Sequence, residues 1–553
     1  RAPRPMVRGS VLSPIVHGLA LMFCRNLLNL ALSVPSALTG IALIFAYDLT
    51  YDSLLDAVTH PFAHMGFLVA IGVSACVDLI VTVWLEAFAV RALGKIEEGV
   101  ISLRSPAYIR VWLKTQLVDS ASHWLSGGLF WPVWLRWAGM KVAKGCEIST
   151  IIDVVPELVE IEGDVFFADG IYLGGPRIQQ GTVTLAKIRL GHDTFLGNHA
   201  VIPAGQRLPG DILIGVCTVA DDRVIKPGTS WFGHPMFTLP RREVLDVDRS
   251  LTHNPSLIRR INRVFWEWLR FALPVVPLAV TAAWLAVVAY LSTVLSFGLF
   301  IGVGVAAVTL GSAVVLCLFV LFLKWFLLGK VRPGVHALWS CWASRWDFLY
   351  VAWGFIASRV LASLEGTLML PLYLRRTGMR IGKRVVLGEG FAQIVDPDML
   401  HFGDGATVNA MFQAHTFEDR MLKIDHVYVG AHSTLSHGTV PLYGADIGEH
   451  TWVAPNSVVM KQERLLPGLR YEGAPTSEQS DLPPRRVEPM TVAIPRGVVP
   501  RAVVPRPAVP RRPVPEIAWP TEAIPEVDLE TRPFYMQQTR ILAHRGPGAR
   551  ETR

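Results

Sequence analysis

The sequence contains few charged residues and few cysteines. Only 18% of its 553 residues are charged, whereas 51% are hydrophobic, a balance outside the range of ordinary soluble proteins. The cysteines lie singly, without the close pairs that bind structural zinc, at Cys24, Cys76, Cys146, Cys217, Cys317 and Cys341. We therefore expect no metal site, and the scattered thiols are typical of a reducing compartment.

Signals for nucleotide binding, nucleic-acid binding and secretion are also missing. The stretch HFGDGATV (401–408) is not followed by the Gly-Lys-Ser/Thr of a phosphate loop, so it predicts a simple turn. Basic residues beside apolar segments and in the C-terminal tail explain the net charge of +7, which therefore does not indicate nucleic-acid binding. No signal-peptide pattern is present. Because the sequence begins at Arg1, we expect an upstream part to have been removed or to lie on the same polypeptide.

Four long apolar segments account for the hydrophobic excess. A membrane helix needs roughly 20 apolar residues to cross a bilayer. The segments occupy residues 31–47, 65–90, 271–295 and 297–328. We predict four membrane helices arranged as two hairpins, with very apolar core helices as the alternative.

Charged residues beside these segments predict how the hairpins are oriented. Acidic residues mark the tip of the first hairpin, at Asp48, Asp52 and Asp56. Basic residues flank the opposite ends of the segments, among them Arg91, Lys95, Arg270, Lys324 and Lys330. Because Lys and Arg are retained on the cytoplasmic side, we expect a multi-pass protein of the cytoplasmic (inner) membrane whose soluble parts lie in the cytoplasm.

A long internal repeat organises the chain. WPVWLRWAGMKVAKGCEIS (131–149) matches LPLYLRRTGMRIGKRVVLG (370–388), and SWFGHP (230–235) matches RYEGAP (470–475). We predict a tandem duplication in which each unit has a membrane hairpin, a connector and a soluble lobe. The predicted parts are a first hairpin at 1–95, a first connector and lobe at 96–245, a second hairpin at 246–330, a second connector and lobe at 331–476, and an extended Pro- and Arg-rich tail at 477–553.

Within each lobe an apolar residue recurs every six residues. The ladder comprises Leu190, Leu196, Ile202, Leu208 and Ile214 in the first lobe, and Val429, Leu435, Pro441, Ile447, Val453 and Val459 in the second. This period suits a three-sided coil whose apolar side chains point to the axis. It resembles the left-handed parallel β-helix of hexapeptide-repeat acyltransferases. The predicted fold is therefore a mixed membrane protein with two left-handed β-helix lobes that alternate with helical transmembrane hairpins.

The stretch QAHTFEDR (413–420) interrupts the repeat in the second lobe. A loop His is the general base of hexapeptide acyltransferases, and an imidazole of ordinary pKa near 6.5 can accept a proton at neutral pH. We therefore take His415 as the candidate base, oriented by Asp419 or Glu418, with a solvated salt-bridged loop as the alternative. The first lobe has Gly175 opposite His415, so we expect that lobe to be degenerate.

Further candidates flank this stretch. His401 and His426 lie before and after it, and Asp425 is a possible second orienting carboxylate. Together with Gln413 and Arg420, these residues form the predicted substrate-binding set. No residue stands out as a cofactor ligand.

Longer motifs resemble a particular family of peptide synthetases. FQAHTFEDR and KIDHVYVG in the second lobe, and NHAVIPAGQRLPGD and TSWFGHPMFTLPRRE in the first, are similar to the membrane-bound C-terminal region of poly-lysine synthetase-like nonribosomal peptide synthetases. The family motif is similar to Gln-Thr-His-Leu-Phe-His-Asp-Arg. It carries over onto Gln413, His415, Phe417, Asp419 and Arg420, whereas Ala414 and Glu418 depart from it.

The resemblance implies both an activity and partners. It implies peptide (isopeptide) bond formation between carrier-bound amino acids, with a phosphopantetheine-linked aminoacyl thioester as donor and no cofactor in this chain. The sequence has no adenylation signature, no Gly-Gly-x-Ser carrier site and no His-His-x-x-x-Asp-Gly condensation motif. We therefore expect adenylation and carrier domains upstream or in trans, and a third lobe or a second copy to complete the assembly.

Two other functions remain open at this point. A stand-alone O- or N-acyltransferase would use acetyl-CoA directly and would need no carrier protein. A non-catalytic scaffold or exporter would guide a cationic peptide through the bilayer and would not depend on His415.

Overall fold

A computed structural model describes residues 11–239, 248–394, 396–418 and 420–479, although the side chain of Glu418 is not included. All of these residues belong to one compact unit, within Arg1–Pro483. The predicted extended tail lies outside the described residues from position 480 onward.

Helices dominate the first part of each half of the chain. In the first half they are α1 (Pro14–Leu32), α2 (Val34–Ala46), α3 (Tyr51–Thr59), α4 (Met65–Ala92), α5 (Pro106–Leu125) and α6 (Trp131–Trp137). In the second half they are α7 (Arg249–Thr252), α8 (Leu257–Arg270), α9 (Val275–Val294), α10 (Phe297–Leu299), α11 (Val305–Leu327), α12 (Cys341–Ile356), α13 (Ser358–Ala362) and α14 (Met369–Arg376). Ser105 and Ser340 cap α5 and α12 by accepting a hydrogen bond from a backbone amide in the first turn.

Four helical segments of the described chain are long and apolar enough to cross a membrane. They are Pro14–Leu32, Pro61–Ala92, Arg249–Val294 and Phe297–Leu327, and a fifth arises if α2 and α3, bent by 102°, count as one. The predicted first segment, 31–47, differs from this arrangement. The long helix α1 ends at Leu32, and α2 has only 13 residues, beginning beside Pro35.

The first lobe consists of short strands in three sheets, all paired in parallel except the last, Phe237–Leu239, which is antiparallel to Ser230–Phe232. Successive strands enter different sheets, so that Arg207–Leu208 pairs with Ile188–Leu190, three strands earlier. Each of the five ladder residues of this lobe is at most 3% exposed. The strands are Lys141–Val142, Glu147–Ile148, Ile151–Ile152, Val159–Ile161, Phe166–Phe167, Ile171–Leu173, Ile188–Leu190, Phe195–Leu196, Val201–Ile202, Arg207–Leu208, Leu213–Ile214, Ser230–Phe232 and Phe237–Leu239.

The second lobe repeats this construction, and its ladder residues are also buried. At its corners the backbone turns through left-handed conformations, for example at His432 (φ 58°) and His450 (φ 56°), whose rings stack 5.0 Å apart. The strands are Arg380–Ile381, Val386–Leu387, Leu400–Phe402, Thr407–Ala410, Val427–Val429, Thr434–Pro441, Asp446–Ile447, Trp452–Val453, Val458–Val459, Arg464–Leu465, Arg470–Glu472 and Ser477–Glu478. Parallel sheets are therefore present in both lobes, while the left-handed sense of the coils stays a prediction.

Each lobe also carries a β-hairpin that leaves the coil. In the first lobe the hairpin strands are Arg177–Gln179 and Thr182–Leu185, and the second of these pairs with Gly99–Ser102. In the second lobe they are His415–Glu418 and Met421–Ile424, and the second pairs with Gly334–Ala337. The two halves thus share an order of elements, although duplication as the origin of that order stays a prediction.

The two lobes contact each other along a seam. Phe166 of the first lobe lies 5.1 Å, ring to ring, from Phe417 of the second. Farther along, Phe232 of the first lobe shares an apolar cluster with Val440, Leu442 and Val458 of the second. The hairpin of the second lobe therefore lies against the first lobe.

Candidate active site at the seam between the lobes

The strand that begins with His415 forms the edge of a small sheet outside the coils. It pairs antiparallel with Met421–Ile424, which sets His415 opposite Ile424. Backbone hydrogen bonds attach its base to the lobe, from Gln413 N to Pro441 O (3.1 Å) and from Asp425 N to Ala414 O (3.0 Å). The predicted loop is therefore a hairpin, and its backbone hydrogen bonds fix the position of the His415 backbone.

His415 is bound by a buried carboxylate. Its Nδ1 lies 2.7 Å from Oδ2 of Asp396, whose side chain is only 2% exposed. Trp346 of α12 donates its indole N–H to the other oxygen, Oδ1, at 2.8 Å. Because an ionised carboxylate only accepts hydrogen bonds, a neutral imidazole in this contact carries its proton on Nδ1 and keeps the lone pair of Nε2. Asp396 therefore fixes the tautomer in which Nε2 can accept a proton.

Aromatic rings hold the imidazole in place. The ring of Trp346 meets His415 edge to face, with centroids 5.0 Å apart at 86°. Phe417, two residues along the same strand, lies 6.3 Å from Trp346 and touches Phe166 across the seam. Stacking of Phe195 on Phe166 at 5.6 Å extends this wall into the first lobe. Both lobes thus contribute to the surroundings of His415.

A small cavity adjoins the Asp396–His415 pair. Its volume is about 10 Å³, which is room for about one water molecule. Its lining comprises Ile394, Asp396, Leu400, Phe412, Ala414 and His415. The His415 side chain is 17% exposed and that of Asp396 only 2%, so the imidazole is the more accessible member of the pair.

A second imidazole shares this face of the hairpin sheet. His336 pairs with Leu422, which in turn pairs with Phe417, and side chains two residues apart on a strand point to the same face. His336 stacks on Trp342 at 3.8 Å. Burial lowers the pKa of His336, which the nearby Asp396 carboxylate opposes. No motif in the sequence pointed to His336.

Asp396 was not among the carboxylates predicted to orient His415, and the predicted ones stay predictions. The Glu418 side chain and Asp419 lie outside the described residues. Asp425 accepts a hydrogen bond at 2.7 Å from the backbone amide of its neighbour His426, a local turn contact. Asp396 precedes the short helix Pro397–Met399 and reaches His415 only through the fold. Its one sequence signal is a carboxylate among apolar residues, since buried acids are rare unless paired.

Arg420 ties the hairpin turn to the first lobe. It is 5% exposed, and its guanidinium donates to Gly145 O at 2.5 Å and lies 3.7 Å from Asp164 Oδ1. A further, longer hydrogen bond at 3.5 Å reaches Thr252 O. These contacts place Arg420 in the seam, as a link between the lobes.

His401 and His426 form a separate pair on the second lobe. Nε2 of His401 lies 2.9 Å from Nδ1 of His426, and Tyr428 stacks on His401 at 4.6 Å. Burial, helped by His426, lowers the pKa of His401 to about 4. The His401 side of this pair opens onto a groove of about 450 Å³ that also contains Arg380. None of the contacts found among the described residues joins either imidazole to His415.

No group of three or more His, Cys, Asp or Glu side chains within the described ranges is placed to hold a metal ion. The arrangement around His415 instead suits proton transfer by an imidazole–carboxylate pair.

Comparisons with known proteins extend the picture beyond this site. No protein-family model matches the chain. Two solved structures, a hexapeptide-repeat-containing acetyltransferase from Vibrio cholerae and a maltose O-acetyltransferase from Clostridium difficile 630, are each 15% identical with a TM-score of 0.19. These two matches cover 24% and 27% of this chain and 90% and 94% of the respective structures.

A curated relative matches a much longer stretch. The Delta-poly-L-ornithine synthetase of Acinetobacter baumannii (strain AB307-0294) is 33% identical over 420 residues, which make up 74% of this chain and 31% of that protein. The match therefore spans about a third of the relative's length. The chain is thus related to the poly-amino-acid synthetases over most of its length, which confirms the family resemblance predicted from its motifs.

Proposed function

We propose that this chain is the membrane-embedded acyl-transfer part of a poly-amino-acid synthetase and that His415 is its general base. The observation that carries the proposal is the contact of 2.7 Å between His415 Nδ1 and buried Asp396, at a seam between two lobes. The relationship to a poly-ornithine synthetase supports an amino acid as the transferred group. The relative's name also favours a basic diamino acid as the monomer.

The proposed reaction forms one amide bond and breaks one thioester bond. The donor is an aminoacyl group held as a thioester on a phosphopantetheine arm of a carrier domain, and the acceptor is the amine of a second amino acid. Nε2 of His415 takes a proton from the amine as its nitrogen attacks the thioester carbonyl. The tetrahedral intermediate then collapses to the amide, and the imidazolium returns the proton to the departing thiolate.

The Asp396 carboxylate has two roles in this scheme. It keeps the proton on Nδ1, so that Nε2 is free, and it stabilises the imidazolium that forms during attack. The indole N–H of Trp346 satisfies the second carboxylate oxygen, which a buried acid requires. Both carboxylate oxygens thus have a partner, which keeps the Asp396 side chain oriented.

The apolar helices support a membrane location for this module. Large side chains of α4 and α11 face outward, including Val69, Val73, Leu310, Leu318 and Phe322. Exposed apolar surface of this extent is typical of contact with lipid or with another protein. We place the helices in the inner membrane as a multi-pass anchor, with the lobes on the cytoplasmic side, where ATP-driven amino-acid activation occurs.

Other parts of the synthetase complete the module in this proposal. Adenylation and carrier domains, on the same polypeptide or in trans, supply the thioester. A third lobe, or a second copy of the chain, packs against the pair described here.

The decisive experiment replaces His415 in the complete synthetase. His415→Ala should lower polymer formation from a labelled amino acid by about 10²- to 10⁴-fold. Amino-acid-dependent ATP–pyrophosphate exchange and loading of the carrier should remain unchanged. Full polymer formation by the variant would exclude the catalytic role and leave the scaffold or exporter. Transfer of labelled acetyl from acetyl-CoA without any carrier would favour the stand-alone acyltransferase.

A further inference from the structure

Helix α8 buries three charged residues and exposes five large apolar residues. Arg263, Glu267 and Arg270 are only 2% to 6% exposed. By contrast, five large apolar residues are 45% to 80% exposed, namely Leu257, Ile258, Ile261, Phe265 and Trp268. Their spacing places them on one face of the helix. Trp266 and Leu269 pack against the core on the inner side, so the exposed apolar face is additional to the face that α8 uses for packing.

The inner charges fix the rotation of α8. Arg263 binds Glu147 of the first lobe at 2.8 Å and Glu267 of its own helix at 3.1 Å. Glu267 also accepts hydrogen bonds from the amide of Leu129 at 2.9 and 3.0 Å. Turning the apolar face inward would leave buried charges without partners, which is strongly unfavourable. The outward apolar face is therefore a built feature of the helix.

The same inner face links α8 to the candidate active site. Arg270 forms an ion pair with Asp347 and donates to Ser126 O. Asp347 follows Trp346, the residue that hydrogen-bonds Asp396. One helix therefore contacts the first lobe, the second-half helix α12 and, through its outer face, the surroundings of the protein.

The outer face is continuous with an apolar helix. Helices α8 and α9 lie within a single candidate span, Arg249–Val294, and Val275 and Leu278 at the start of α9 are also exposed. The one exposed charged residue of α8 is basic, Arg260, while its single acidic residue is the buried Glu267. A cationic edge beside apolar and aromatic side chains suits the boundary between phospholipid headgroups and acyl chains.

We propose that the outer face of α8 binds the phospholipid bilayer, with Leu257, Ile258, Ile261, Phe265 and Trp268 in contact with acyl chains. This inference rests on the membrane location proposed above. It adds that the lobes are held at the membrane by a helix whose opposite face organises the seam. The bilayer thus contributes to the position of both lobes.

The test is photo-crosslinking of the full chain in nanodiscs of phosphatidylethanolamine and phosphatidylglycerol. p-Benzoylphenylalanine is placed at Phe265, with Phe322 of α11 as a span position and Tyr428 of the second lobe as an exposed aromatic control; the latter two are 58% and 44% exposed. Mass spectrometry then counts lipid adducts. We expect adducts at position 265 at the level of position 322, and background at 428.

Other results would overturn the proposal. A protein–protein adduct at position 265 would mean that another polypeptide covers the face, and background labelling there would mean that water does. Position 261, one turn earlier, serves as a second probe if the first variant does not accumulate. The readout needs no turnover, so its failure is separate from a failure of His415→Ala.

Discussion

The two lobes carry the same hairpin, but the residues around it are apolar in the first lobe and polar in the second. The sixth residue of α12 is Trp346, and that of α5 is Val111. Asp396 stands before its short helix, where the first lobe has Val155 before Pro156–Leu158. In the first lobe Arg177 pairs with Thr184, so the next position outward is Pro176. Pro176 thus corresponds to His415 of the second lobe and lies one residue from Gly175, which the sequence had predicted for this position. His336 likewise corresponds to Ile101.

In the first lobe three of these four positions belong to an apolar cluster. Val111 and Val155 pack with Val183 and Leu185 of the hairpin, and Ile101 lies against them. Burying apolar side chains stabilises a hairpin, whereas a buried carboxylate needs both a charged partner and further hydrogen bonds. The first lobe shows that the hairpin forms without polar residues at these positions. The polar group of the second lobe is therefore not required for this fold, as expected of a functional site.

The largest expected effect comes from Asp396→Asn. The amide keeps the shape but can donate to Nδ1, which would place the ring proton on Nε2 and remove the base. We expect polymer formation to fall about 10³-fold, measured with a labelled amino acid at saturating carrier thioester. Asp446→Asn, on the outer face of the same lobe, is the matched control and should keep its activity. Equal activity of Asp396→Asn and Asp446→Asn would show that transfer does not need the Asp396 carboxylate.

Trp346→Phe should have a smaller effect, chiefly on stability. The ring remains to pack against His415, but one oxygen of buried Asp396 loses its donor, which costs about 1 to 3 kcal/mol. Thermal unfolding in detergent checks this loss. Val111→Ala, at the same position of the first lobe, should also lower the stability against thermal unfolding. It should leave the pH dependence of aminoacyl transfer unchanged.

We expect His401 to make the stability of the second lobe depend on pH. The first lobe lacks this imidazole, since Glu160 stands at the matching position. Burial holds the pKa of His401 at about 4 in the folded chain, below the ordinary 6.5. The unfolded chain therefore binds more protons between these values, so stability falls as pH drops from about 6.5 towards 4. His401→Phe should flatten this dependence when unfolding temperatures are compared across the window. The exposed His437→Phe should leave it unchanged, and an equal slope in both variants would contradict the assignment.

The smallest effect is expected for Phe417→Ile, which installs the residue found at the matching position 178. It removes the ring contact of 5.1 Å with Phe166 across the seam. An aromatic pair of this kind is worth about 0.5 to 1.5 kcal/mol. We expect a slight fall in unfolding temperature and a loss of activity of less than about tenfold, the factor that corresponds to about 1.4 kcal/mol. Phe237→Ile, away from the hairpin, controls for a general loss of an aromatic ring.

Sequence patterns predicted the lobes better than they predicted the site. The six-residue ladder could be found because one buried apolar residue per strand repeats in the sequence itself, and Leu196 and Val453 are indeed fully buried. His415 could be found from a local motif. Asp396 and Trp346 could not, because they meet His415 only through the fold and belong to no periodic pattern. The predicted first segment, 31–47, coincides with the short helix α2, whereas the long helix α1 was not predicted, because Arg25, Asn26 and Asn29 interrupt its apolar residues.

The contact of Arg420 with Gly145 constrains how a substrate can arrive. The turn of the hairpin is attached to the first lobe through Arg420, whereas His415, at the other end of the same strand, is attached to Asp396 of the second lobe. In the proposed reaction, a carrier that pushed the lobes apart would pull on the hairpin between its two attachments. The general base would then lose its position. Under the proposed function, the carrier protein would therefore stay outside the closed seam, and only its pantetheine arm would enter.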